Sequence, residues 1–162
     1  MNTGTEGRGP LRLLISIDFS DCCRLALRKV LDLIANRKAE IIALHVIDQQ
    51  FVQQCVKTGL LDESVIKKKL FIDAKTKLKT LIDEELPNTL VKSVVCEGVP
   101  YMEINLKAEE FDADIIVIGS RGMIGDHENI FFGSTAEKIM RFTKRPVFCV
   151  PPTMRPIGPS SA

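Results

Sequence analysis

Gly119, Gly122, Gly133, Ser134 and Thr135 are the residues of this chain whose type and spacing best suit the capture of an anion. They punctuate DIIVIGSRGMIGDHENIFFGST, residues 114–135, which begins as an apolar run of strand type, breaks at Gly119 and ends where a helical pattern opens. Glycine lets the backbone approach a phosphate or adopt positive φ. A helix N-terminus adds unpaired N–H groups and the positive end of its dipole. The chemistry this favours is binding of a nucleotide's phosphate tail. Asp18 is the second feature of that kind, a carboxylate that follows Leu14-Ile15-Ser16-Ile17 directly. In a doubly wound sheet ligands sit outside the C-terminal ends of strands, so Asp18 and the glycine loop face one crevice if their strands are neighbours. Arg121 lies inside the loop and could pair with a phosphate or face solvent.

Two familiar cradles are excluded. No G-x-x-x-x-G-K-[ST] occurs, and no G-x-G-x-x-G follows the first strand. His127, between Asp126 and Glu128, could act as a base, but no nucleophile or metal cluster accompanies it. His45 lies within an apolar run and reads as a hydrogen-bonded core histidine. Gly125 reads as loop flexibility, and Phe131-Phe132 as an anchor of the loop or a wall for adenine. The five cysteines form no C-x-x-C and no even framework, which points to a reducing interior. Cys96 and Cys149 read as small buried hydrophobes. Cys22-Cys23 opens a helix, where a thiol pKa can fall, with plain packing as the blander use.

The elements that must position these residues are legible from the apolar pattern. Leu11–Asp18 is a strand, and Ser20 caps a helix to about Asn36 with Cys23, Leu27, Val30, Leu31 and Ile34 on one face. Residues 41–47 are nearly continuously apolar, as in a strand covered on both sides. Residues 49–61 show no clear period and are expected to form a flexible excursion. A long helix from Asp62 to about Glu85 follows, stopped by Pro87. Residues 90–96 form a third strand, suited to a sheet edge by Lys92 and Ser93; a helix then follows Gly98 and Pro100. Residues 114–118 are the fourth strand, 133–143 a helix, and 146–150 the fifth strand. Alternating strands and helices imply an open, doubly wound, five-stranded parallel sheet with helices on both faces, of expected order 3-2-1-4-5. Residues 11–152 form one α/β domain, 1–10 a loose arm and 153–162 a disordered tail. With 22 basic against 21 acidic residues, nothing draws the chain to nucleic acid or anionic lipid. The Lys67-Lys68-Lys69 run reads as a solvated helix face. No apolar stretch approaches a membrane span, and a cytoplasmic protein is expected.

The glycine spacing, with DADIIVIGSRG before it and RPVFCVP after it, resembles the universal stress protein family. ISIDFS, LHVID and Gly98-Val99-Pro100 extend the resemblance from Leu11 to Pro152. The signature of the family's ATP-binding branch is G-x-x-G, nine residues, then G-[S/T]; this chain has ten residues in the gap. The resemblance implies that Gly119, Gly122, Gly133 and Ser134 hold the ribose and phosphates of ATP, with Thr135 adding an N–H. It implies further that Asp18 lies near the ribose and phosphates, and that Val46 contacts the adenine. Mg²⁺ or Mn²⁺ would arrive with the phosphates. A homodimer through the fifth strand, Pro146 to Val150, is implied as well. The sequence offers no lysine or arginine-finger arrangement for phosphoryl transfer, so an ATP-binding regulatory module with little or no turnover is expected. The alternatives are a nucleotide-free dimeric interaction protein of the same fold and a weak adenine-nucleotide hydrolase.

Overall fold

The computed structural model describes residues 9–122 and 132–152. Its centre is β1 (Leu11–Ser16), which pairs in parallel with β2 (Ala39–Asp48) on one side and with β4 (Ile115–Gly119) on the other. β3 (Val91–Gly98) adds to β2 and β5 (Val147–Val150) to β4, giving the expected order β3-β2-β1-β4-β5 with β3 at an edge. Winding therefore reverses between β1 and β4, and a crevice opens beyond their C-terminal ends.

Side chains alternate across a strand, so neighbouring residues of β1 serve opposite cores. Leu13 and Ile15 join Cys23, Leu27 and Val30 of α1 (Asp21–Ile34) and Leu78 and Leu81 of α3 (Glu63–Glu85). Leu14 points the other way, to Ile104 and Ala108 of α4 (Pro100–Glu110) and to Ala136 and Ile139 of α5 (Ser134–Phe142). Both faces of β1 are thus covered, which accounts for its continuous apolar sequence.

One expected element differs. Residues 49–57 are not an excursion but helix α2 (Gln49–Lys57), N-capped by Asp48, whose Oδ1 accepts from the Gln50 N–H at 2.8 Å. Val52 and Val56 then pack against Ala74 and Leu70 of α3. That small satellite core supplies what the short amphipathic pattern lacks alone. β3 runs two residues further than expected, to Gly98, and β4 takes in Gly119. Cys96 and Cys149 are half-buried rather than fully buried, packed at the margin of the α4–α5 core. Among the described residues no helix is long and apolar enough to cross a membrane. Residues 1–8 of the expected arm and the expected tail, 153–162, lie outside the described residues.

Candidate functional site

Beyond β1 the chain turns sharply into α1. Phe19 adopts φ +64°, the left-handed region that a side chain with a Cβ rarely occupies. Asp18, just before it, uses Oδ1 to accept from the Ser20 N–H at 3.0 Å and from the Ser20 hydroxyl at 2.5 Å. The Ser20 Oγ in turn accepts from the Cys23 N–H at 3.1 Å, capping α1 as its sequence suggests. The other carboxylate oxygen, Oδ2, faces the glycine loop: a Cβ built on Gly122 would lie 3.2 Å from it.

The loop after β4 is pinned from two directions. The Ser120 N–H donates to the Val150 carbonyl at 2.8 Å, and the Cys22 thiol donates to the same oxygen at 3.1 Å. Beyond the undescribed residues, the Gly133 N–H returns to the Ser120 carbonyl at 2.7 Å. A Cβ on Gly133 would meet the Gly122 nitrogen at 3.2 Å, so glycine permits the start of α5 to lie against the loop. Gly133 is the N-cap of α5 and supplies no side-chain cap, which leaves the first-turn N–H groups available to a ligand.

These two strand ends enclose a cavity of about 280 Å³. The β4–α5 side contributes Gly119, Gly122, Gly133, Ser134 and Thr135; the β2–α4 side contributes Val46, Pro100 and Ile104; Asp18 lies between them. Seven of the expected site residues therefore meet round one cavity. Arg121 does not line it: it is half-buried, and its Nε is buried without a hydrogen-bond partner among the described residues. Gly119 has a structural duty as well, since a Cβ there would meet the Cys22 carbonyl carbon and the Cys23 nitrogen at 3.1 Å. Asp48, Pro100 and Ile104 are among the lining residues that the sequence did not single out. The signal for Asp48 was available, because it ends β2 as Asp18 follows β1. Pro100 is the first residue of a helix that follows a strand's C-terminal end directly.

His45 also lines the cavity. Its Nδ1 lies 2.7 Å from the Ile17 carbonyl and must donate, because a carbonyl can only accept. Burial pushes the imidazole below its usual range, against the opposing effects of that hydrogen bond and of the Asp18 charge. Cys22 and Cys23 are buried, and burial above all raises the Cys23 thiol to about 12. Burial thus works against an activated thiolate at Cys23 despite its place in the first turn, while the Cys22 thiol is hydrogen-bonded to the Val150 carbonyl. Among the described residues no three His, Cys, Asp or Glu side chains gather as a metal site. Gly125, His127 and Phe131 lie outside the described residues, while Phe132 is exposed.

Known proteins share this architecture. The chain is 31% identical over 153 residues to universal stress protein MJ0577 of Methanocaldococcus jannaschii, covering 86% of this chain and 93% of that protein. The solved structure of MJ0577 superposes with a TM-score of 0.78 over 90% of this chain and 98% of that one, at 29% identity. A universal stress protein of Archaeoglobus fulgidus, solved in complex with dAMP, is similar in fold alone: TM-score 0.52, 20% identity, 86% of this chain and 97% of that one. The sequence model of the universal stress protein family matches residues 11–151, nearly the whole of the α/β domain, and by that match the chain belongs to the universal stress protein family.

Proposed function

We propose that this chain is an adenine-nucleotide-binding regulatory module, with ATP as its ligand. The observation that carries the reading is the meeting of the uncapped N-terminus of α5, the glycines at 119, 122 and 133, and Asp18 round one cavity. The phosphates belong against the first-turn N–H groups of Ser134 and Thr135 and the Gly122 segment. The base belongs on the β2–α4 side, against Val46, Pro100 and Ile104. Asp18 Oδ2 is left to accept from a ribose hydroxyl or to share a cation with the phosphates. Two carboxylates, Asp18 and Asp48, line the cavity, and no Lys or Arg does so among the described residues. A polyphosphate there fits best with Mg²⁺ or Mn²⁺ bound to its own oxygens. The same lack of cationic side chains leaves a transition-state charge on a transferring phosphoryl group unsupported, so turnover is slow at most. The dAMP complex of the Archaeoglobus fulgidus relative supports an adenine nucleotide as a ligand class that this fold can accept.

The test is direct. Protein purified without added nucleotide is denatured, and any released small molecule is identified by mass spectrometry; ATP is then titrated into wild type and Gly122→Val. Wild type should bind ATP saturably, and Gly122→Val should bind at least about tenfold more weakly, because its Cβ starts 3.2 Å from Asp18 Oδ2. No released nucleotide, no saturable binding and no difference between the two proteins would sink the reading and favour a nucleotide-free interaction protein. Phosphate release above the Gly122→Val background would favour a hydrolase.

A further inference from the structure

His45 touches the residues on both sides of Asp18. The regular β1–β2 pairing ends at Ser16 opposite Leu44, and the Ile17 N–H makes a last bond to the Leu44 carbonyl at 2.8 Å. In a continued parallel ladder the next donor to the Ile17 carbonyl would be the Val46 N–H. The imidazole takes that place, with Nδ1 2.7 Å from the Ile17 oxygen. One residue beyond Asp18, the Phe19 ring lies against the same imidazole, with centroids 4.6 Å apart and planes inclined by 42°. Phe19 is also the residue at φ +64°. A left-handed phenylalanine persists where its surroundings over-determine it, and such strain gathers at functional sites. A single ring therefore holds the carbonyl before Asp18 and the side chain after it, and Asp18 has little freedom left. Its Oδ1 is committed to Ser20, and its Oδ2 stands against Gly122.

We propose that His45 is the positioning residue of the cavity: by clamping Ile17 and Phe19 it fixes the strained turn that presents the Asp18 carboxylate to the ligand. The inference rests on the nucleotide reading for its consequence in binding, but not for the clamp itself. The ring acts from the β2 side through Asp18 and need not touch the ligand. Only the neutral Nδ1–H tautomer is required.

The experiment compares wild type, His45→Asn, His45→Leu, Asp18→Ala and the double variant His45→Leu/Asp18→Ala. ATP with Mg²⁺ is the probe by calorimetry, and far-UV circular dichroism verifies folding. Asparagine can place an amide N–H where Nδ1 stands, whereas leucine fills similar space with no donor. His45→Leu should weaken ATP binding about tenfold and His45→Asn by no more than about threefold. In the Asp18→Ala background the leucine change should matter by less than about twofold, because the two residues act as one unit. Leucine binding as wild type, asparagine failing as badly as leucine, or full losses that multiply in the double variant would each overturn the proposal. If His45→Leu does not fold, His45→Ala, which also lacks the donor, replaces it in the same comparison. If wild type binds no ATP, the nucleotide reading fails on its own. The clamp is then read by hydrogen exchange at the Ser20 amide, which donates to Asp18. Exchange should quicken in His45→Leu and not in His45→Asn, and unchanged exchange in both overturns it.

Discussion

A methyl group added at position 119 has nowhere to go. Its Cβ would sit 3.1 Å from two backbone atoms of Cys22 and Cys23, which belong to the first turn of α1 and cannot rotate away. That turn is itself fixed by the Ser20 cap and by the Cys22 thiol on Val150. Gly119→Ala should therefore lower stability by about 1–3 kcal/mol, a loss of several degrees in thermal midpoint, through overpacking. Gly98→Ala is the control: its Cβ would meet the flexible side chain of Glu103, which can swing aside. Thermal unfolding of both variants measures the contrast, and equal midpoints would contradict this account of Gly119. The same residue marks how far sequence reaches at this scale. The meeting of the glycines and Asp18 round one cavity was legible, because those residue types follow strand ends that the apolar pattern brings side by side. The need for Gly119 to admit α1 was not, because it arises from a contact nearly a hundred positions away along the chain. Arg121, read as a phosphate partner or a solvent-facing side chain, is half-buried and stands outside the lining of the cavity. A charge within a loop gives no sign of which way the loop will turn it.

Helices α1 and α3 are joined at their solvent edge by Glu85, a buried carboxylate reached by two arginines of α1. Arg28 Nε donates to Glu85 Oε2 at 2.7 Å and Arg24 Nη1 to Oε1 at 3.0 Å. The Arg28 hydrogen bond, with Arg24 adding to it, holds the Glu85 carboxyl below its ordinary 4.5 although burial opposes this. With its folded pKa depressed, the group contributes stability that is present above about pH 4.5. That contribution is lost as pH falls through the lower folded value, where the native state too must take up a proton. Urea unfolding from about pH 6 to pH 3 should thus fall more steeply for wild type than for Glu85→Gln. The difference should be modest, since both arginine side chains are more than a third exposed and water screens the pairs. Parallel pH profiles would show that the clamp contributes nothing. Neither arginine announces this role in the sequence, although their i, i+4 spacing puts them on one helix face. Length and periodicity made α1 and α3 easy to read. α2 was missed because nine residues carry too few apolar positions for a period to emerge, and its stability comes from Asp48 and the side of α3.

At the scale of the molecule the open sheet has two edges, and the sequence treats them differently. β3 carries Lys92 and Glu97, and Lys92 Nζ sits 4.3 Å over the Phe111 ring, so a charged side chain guards that edge against strand pairing. β5 is VFCV, without a charge. The Pro146 and Val150 carbonyls bond to β4, accepting from the Ile116 and Ser120 N–H groups. By the two-residue alternation of a strand, the backbone groups of Val147 and Cys149 point away from β4, toward the open edge. An uncharged edge with outward N–H and C=O groups suits pairing with a second copy of itself, and the homodimer implied by the family resemblance would use it. Cys149→Pro deletes one outward donor and leaves the bonds to β4 in place, whereas Cys149→Val keeps the donor. Sedimentation velocity across a concentration series should give a dimer for wild type and for Cys149→Val. For Cys149→Pro the dissociation constant should rise about tenfold or more, with the far-UV spectrum unchanged. A proline variant that dimerises undiminished would place the association elsewhere on the surface, and a wild type that sediments as a monomer throughout would leave β5 as a bare edge.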